Sequence, residues 1–565
     1  MELSRRGFMG LGLASLGVGL SGCAREAPAT PAASTPTVPS AAPAAPAVPR
    51  PFVVGAPGRP LTRDPAGAWD AETFRLSRQV LETLLGVDPD TGAPTPQLVE
   101  SHTVSDDGLT HEFRLLDGVV FEDGAPCDAA AVAANVTRWS TPPTPVDGTV
   151  AMPSPFVSAF GGHAGTEETA FAGVETPDER TVRLRLRSRL HHLPAALSSP
   201  PFAISSPGSW DRTVRVGDAD VVTPAGTGAF RWATAEEAAA HAAREPAAAD
   251  PADVTLLMPA DRHRGDAPAT GPVAVHAWGR ASTRLRELRR GTADVIDVVA
   301  PSQLRPLVEA GTQVLPRDPL AVLYLGMNLA HPQLRSQHLR QAVAHAVDRG
   351  RLASSDVFLE GTAPAHDLVP PALGVGDEEA EHHDLDPDRA ERLREMSGYA
   401  GEPLEFLYPL ATGRPSLPEP ERVYAMVAAD LGAVGITVTP VPVPDDEDYL
   451  RAVVSRPTRA LHLMGRGGAY RDPHAFLEPF VRSGRAETNY VNPRVARDLA
   501  AAAAEPDDDR RRELHRGVVR AMALDLPALP LVYPISALAT GPRVASYPTS
   551  PQLDEPFARI GVTDA

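Results

Sequence analysis

The residues able to make or break bonds are few, and their spacing suits none of the common mechanisms. The chain holds 53 lysine-plus-arginine residues and every one is arginine. That excludes a phosphate-loop lysine, a Schiff-base lysine and a lysine general base. No G-x-S-x-G, H-E-x-x-H or glycine-rich phosphate loop occurs in the folded part. Gly17-x-Gly19-x-x-Gly22 has the dinucleotide-binding spacing but no strand before it and no βαβ unit after it. His191-His192 and His382-His383 are adjacent pairs without partners at i+4 or nearby cysteines, so they read as solvated loops rather than metal sites. Asp384-x-Asp386-x-Asp388 begins like a calcium loop but lacks its glycine and closing glutamate. The acidic runs 445–448 and 507–509 fit helix starts, and Arg264-Gly265-Asp266 fits a polar loop. No catalytic residue, no cofactor and no metal are therefore expected. Arg466, Tyr470 and Arg471 have types suited to binding, because forked guanidinium groups and a phenol can hold a carboxylate or a sugar-like polar solute.

Only two cysteines occur, Cys23 and Cys127. Cys127 follows a turn and reads as a small structural residue. Cys23 ends a stretch of another kind. Arg5-Arg6 supplies a positive start, and residues 8–20 form an apolar run shorter than the roughly 20 residues needed to span a bilayer. The paired arginines followed by Phe8-Met9 resemble a twin-arginine export signal. Leu20-Ser21-Gly22-Cys23 resembles the lipobox of bacterial lipoproteins, which implies cleavage before Cys23 and acylation of its thiol. Residues 1–23 are thus expected to be a lipoprotein signal that places the protein at the cell membrane, on its extracytoplasmic face. Residues 24–50 are mostly Ala, Pro, Ser and Thr and cannot bury enough surface to order themselves. As an extended tether they reach about 80 Å.

A chain of 565 residues exceeds what one hydrophobic core usually serves, so two lobes are expected. The net charge of −19 disfavours nucleic acid as a partner. Polar–apolar alternation predicts half-buried strands at 109–116 and 181–187. Further strands are predicted at 51–55, 254–258, 273–278, 322–329, 404–409 and 436–443, the last pushed to an edge by its prolines. Helices are predicted at 70–85 behind Asp70, 128–139 behind Asp128, 336–350 between Ser336 and Gly350, 419–434 and 507–524. This mixture predicts α/β lobes.

Ordered blocks along the folded part resemble the dipeptide, oligopeptide and nickel group (family 5) of ABC-transporter solute-binding proteins. They include the segment 79–139, opening QVLETLLGVDPDTGAPTPQLVESHTVSDDGLTHEFRLLDGVVFEDGAP, TPAGTGAFRW (223–232), LRELRRGTADVIDVV (285–299), the segment 324–352 ending AVDRGRL, DPDRAERLREMSGY (386–399), AADLGAVGITV (428–438) and DLPALPLVYP (525–534). The resemblance implies a two-lobed periplasmic-binding-protein type II fold with an extra subdomain in the first lobe and a two-strand hinge. Residues 51–324 and 529–565 would form lobe I with its subdomain, and 325–528 lobe II. It implies a monomer without enzymatic activity that captures a small solute between its lobes and delivers it to ABC permease and ATPase subunits. An extracytoplasmic sensor or chaperone-like binder could use the same fold without transport. Asp348-Arg349 would cap and pair at a helix end, and Gly226 and Gly228 would serve a turn.

For the ligand, the resemblance bears on MGRGGAYRDPHAFLEPF (464–480). Peptide-binding members carry an aspartate four residues before this proline, which accepts the peptide's ammonium group; here the position is Ala469. The run Asp472-Pro473-His474-Ala475-Phe476-Leu477 resembles the nickel members, yet their preceding aromatic residues correspond to Gly467 and Arg471, and their ligand-binding arginine to Pro200. A peptide with a free amino terminus and nickel are thus both disfavoured, and a peptide-like, polar or acidic small molecule is expected instead. The candidate cleft wall is Arg466, Ala469, Tyr470 and Arg471, with Trp69 opposite. The alternative is that both arginines point to solvent.

Overall fold

Strand formation follows the apolar runs closely. Phe52–Ala56 is buried at every position and lies parallel to Val273–Ala277 on one side and to Val295–Ile296 on the other, as a strand covered on both faces requires. It is central to a seven-stranded sheet ordered Phe230–Trp232, Val254–Pro259, Val273–Ala277, Phe52–Ala56, Val295–Ile296, Ser536–Thr540, Gln313–Arg317. A second sheet of six strands runs Ala363–Pro364, Ala528–Tyr533, Val322–Met327, Leu461–Arg466, Leu404–Pro409, Val438–Val443. Its last strand is an edge and carries Pro440 and Pro442, which an edge tolerates. Thr110–Leu115 and Thr181–Leu186 alternate buried and more accessible residues inside a separate four-stranded antiparallel sheet, the body of a subdomain. The computed structural model describes residues 50–89, 91–142, 154–216, 219–244, 253–376, 380–410, 414–444, 449–482, 485–552 and 555–563. The export signal with Cys23, the tether before residue 50 and the acidic run 445–448 lie outside the described residues.

The chain passes between the two large sheets twice. It leaves the first at Arg317 and enters the second at Val322, then leaves at Tyr533 and re-enters at Ser536. Arg317 pairs with Ser536 in the first sheet, so both crossings leave it side by side. The expected lobe boundaries at 324/325 and 528/529 fall within Val322–Met327 and at the start of Ala528–Tyr533, two neighbouring strands of the second sheet. The sheet change itself lies at 318–321 and 534–535.

Several local expectations change. The first helix is Ala71–Val80, capped by Asp70 as expected, but it stops early because Glu82–Thr83 pairs as a strand with Ala203–Ile204. The segment 336–350 is two helices. Gln337–Ala346 ends at Val347, whose backbone is extended, and Asp348 caps a new helix Arg349–Ala353, so Gly350 lies inside a helix rather than ending one. Arg349 donates to the carbonyls of Ala365 and His383. Gly226 and Gly228 answer a close backbone approach: a Cβ at Gly226 would sit 1.9 Å from the Val80 carbonyl oxygen, and one at Gly228 2.6 Å from that of Gln79. His192 and His383 are buried, so neither histidine pair is simply a solvated loop. Cys127 is buried as a structural residue, and burial pushes its thiol up to about 12.

Candidate functional site

The strand Leu461–Arg466 runs antiparallel to Val322–Met327, with Arg466 opposite Val322. The loop 467–472 that follows therefore starts beside the crossing 318–321, where a solute held between two sheets would meet both. The loop depends on glycine. Gly468 has φ +68°, and a Cβ there would lie 2.5 Å from the Phe476 ring. Asp472 ends the loop by capping the helix Pro473–Val481, its Oδ1 accepting from His474 N–H at 2.8 Å.

Arg466 faces inward rather than to solvent. Its Nη2 donates to Glu487 Oε2 at 2.9 Å and to the Tyr324 hydroxyl at 3.1 Å, and its guanidinium lies 5.3 Å over the Phe480 ring. Glu487 also accepts from Tyr324 Oη at 2.6 Å and from His462 Nε2 at 3.0 Å. Burial alone would push the Glu487 carboxyl up, but the His462 hydrogen bond and the Arg466 charge hold it down at about 2. Burial pulls His462 down, so it stays neutral and donates through Nε2. The charge that Arg466 was expected to offer a carboxylate solute is thus already met by a carboxylate of the chain. Gly326 belongs to this cluster, because a Cβ there would sit 2.1 Å from the His462 ring.

The other candidates divide. Ala469 is exposed and adds no charge. Arg471 lies across the backbone of the turn at Gly92, φ +72°, where a Cβ would meet its Cδ at 2.1 Å. Tyr470 is 4% exposed, with its ring 5.9 Å from that of His192 and nearly parallel. His192 in turn stacks on His474 at 3.9 Å. Among the described residues the Tyr470 hydroxyl is buried and makes no hydrogen bond, and burial raises its pKa well above the ordinary range. It remains a phenol with a donor to spare. Trp69 is half-buried in the loop ahead of the helix Ala71–Val80. Pro200 is buried in the short helix Pro200–Phe202.

Segments from before and after the crossing 318–321 touch at this loop. His191 N–H donates to the Ala503 carbonyl at 2.7 Å, and Ser158 Oγ donates to Glu478 Oε2 at 2.6 Å. One apolar cluster runs from Phe156, Phe160 and Leu193, before the crossing 318–321, to Phe476, Phe480 and Val519 after it. Glu487, His462, Tyr324, Gly92 and the His192–His474 stack were not marked in the sequence. Gly92 and Tyr324 lay inside quoted blocks, His192 in the histidine pair 191–192 and His474 in the block 464–480, but none of them was marked as a site residue.

The family model for bacterial extracellular solute-binding proteins, family 5 middle, matches residues 93–488. The chain is 24% identical over 533 residues to heme-binding protein A of Haemophilus influenzae, covering 90% of this chain and 92% of that protein. It is 25% identical over 528 residues to di/tripeptide-binding protein 2 of Pseudomonas aeruginosa, covering 91% and 95%. Its fold matches the dipeptide-binding protein of Pseudoalteromonas sp. SM9913 in complex with Met-Leu. That match has a TM-score of 0.77 and 18% identity and covers 91% of this chain and all of that one.

Proposed function

The chain belongs to the family 5 bacterial extracellular solute-binding proteins, and from that premise we propose that it captures a small solute between its two lobes and hands it to an ABC permease as a lipid-anchored protein. Family members bind solutes for ABC importers and are not enzymes. The type II fold supplies two lobes on a two-strand hinge. A solute touching both lobes favours the arrangement in which they meet, by as much as its affinity differs between the two states.

The observation that carries the reading of the solute is the composition of the wall 466–472. It presents an uncharged, exposed Ala469, an unpaired buried phenol at Tyr470, and an Arg466 whose charge is spent on Glu487. Recognition here does not rest on a carboxylate at residue 469 receiving an ammonium group. A buried ammonium without a counter-charge is costly. Calorimetry with free and N-acetylated dipeptides, haem, nickel with histidine, and acidic and sugar solutes tests this. We expect acetylation to change dipeptide affinity by less than about threefold. For whichever solute binds, Tyr470→Phe should weaken binding by about 3–10-fold without lowering the melting temperature, since only one hydrogen bond is removed. A free dipeptide bound below micromolar and lost on acetylation, or a Tyr470→Phe variant with unchanged affinity, contradicts this reading of the wall.

Anchoring rests on Leu20-Ser21-Gly22-Cys23 after the apolar run. Two acyl chains on one residue hold a protein stably, where one is marginal. Cells given a labelled palmitate analogue should mark the wild type and not Cys23→Ala. Equal labelling would remove the anchor from this account.

A further inference from the structure

On the second lobe, away from the loop 467–472, three side chains converge: His345 at the end of the helix Gln337–Ala346, and Glu381 and His383 from the segment before the helix Pro387–Met396. Each offers one ligand atom, and the three atoms lie within 4.8 Å of one another. The tautomers are fixed from behind. His345 Nδ1 lies 2.7 Å from the Asp384 carbonyl and His383 Nε2 lies 2.9 Å from the Ala523 carbonyl. A carbonyl only accepts, so these nitrogens carry the protons and His345 Nε2 and His383 Nδ1 are left as bare lone pairs. Both bare nitrogens are buried and have no hydrogen-bond partner among the described residues. The residues themselves are 2% and 3% exposed. His383 also holds φ +47°, a conformation that a non-glycine residue adopts only when its surroundings impose it.

We propose that His345, Glu381 and His383 form a binding site for a divalent transition-metal ion of the zinc type. Two imidazoles whose far nitrogens donate to backbone carbonyls, joined by one carboxylate, make the ligand set and outer shell that such ions use. Calcium and magnesium prefer all-oxygen sites.

Ligand atoms around zinc stand about 3.3 Å apart, from bonds of about 2.0–2.1 Å in a tetrahedral arrangement. Binding must therefore draw the three groups together. Glu381, the most accessible of them, can supply that movement, leaving Arg389, which is 3.8 Å from its carboxylate. The Arg349 guanidinium, bonded to the His383 carbonyl, is a further positive charge beside the site and limits affinity. A small cavity lined by Glu381, His366, His382 and His383 adjoins the site. An ion here would clip the segment around His383 to the helix Gln337–Ala346.

The test uses the full chain, purified without a histidine tag and stripped with a chelator. Zinc should raise the melting temperature by at least about 2 °C, and cobalt should give the visible absorption of a four-coordinate centre. Glu381→Gln, a change at a partly exposed side chain that the fold should survive, should weaken both responses by about tenfold or more. His383→Gln should abolish them. Absence of both responses in the wild type overturns the proposal, as does a Glu381→Gln variant that responds like the wild type.

Discussion

Replacing Asp297 by alanine is expected to lower the unfolding free energy by about 3–5 kcal/mol. Asp297 is 1% exposed and lies between two buried guanidinium groups. One oxygen accepts from Arg75, and the other accepts from Arg317 Nη1 at 2.6 Å and from Val298 N–H at 2.6 Å. Arg317 also donates to Glu555 Oε1 at 2.6 Å, and Arg75 pairs with Glu72 at 3.5 Å. Burial alone would raise the Asp297 pKa, but the Arg317 and Arg75 charges reverse that and hold it far below the usual range. Truncation leaves two arginines buried with too little counter-charge, and that residue of unpaired charge, rather than the lost bonds, sets the size of the effect. Arg317 is the last residue before the crossing at 318–321, so the loss falls at the root of the hinge. Urea unfolding of the variant against the wild type measures it; a loss below about 1 kcal/mol would mean that the network adds little net stability.

Acidification should weaken the lobe contact before it titrates the carboxylates. His192, His474 and His515 are buried around that contact. His192 Nδ1, His474 Nδ1 and His515 Nε2 make no hydrogen bond among the described residues. Burial is the first cause that lowers all three, His515 to about 4. Asp472 opposes the shift at His192 and His515, while Arg511 at His515 and Arg482 at His474 reinforce it. A lowered histidine pKa means that the unfolded chain binds the extra proton first. The stabilisation is complete above the unfolded value near 6.5 and is lost as pH falls toward 4. For His515 alone the loss by pH 5 is about 2 kcal/mol. Glu72, pushed by burial up to about 7, works in the opposite direction over the same range. Comparing the wild type with His515→Gln cancels that term. The wild type should lose about 2 kcal/mol more than the variant between pH 7 and pH 5, measured by urea unfolding. Equal losses would mean that His515 takes up its proton at no cost in the folded state.

Much of the scaffold was legible because it follows local pattern. The alternation at 109–116 and 181–187, the caps at Asp70 and Asp128, and the edge signalled by Pro440 and Pro442 all depend on neighbours in the chain. The site was less legible because it depends on distant partners. Glu487 sits in a short helix with no motif around it, and it matters only because sheet pairing brings Tyr324, His462 and Arg466 to one point. Arg466 was expected to offer its charge to a solute, and its internal carboxylate partner could not be read from its spacing. His383 looked like half of a surface pair until the ends of two helices closed over it. The break at Val347 was hidden by a periodicity that continues through it.

The central claim is that the lobes close on a solute, and small-angle scattering tests it most directly. The solute should be the member of the calorimetry panel with the highest affinity, added at about 100 times its dissociation constant, where binding contributes about 2.7 kcal/mol to stability. The account predicts a smaller radius of gyration together with a higher melting temperature. A solute that raises the melting temperature while the radius of gyration stays unchanged would contradict capture by closure.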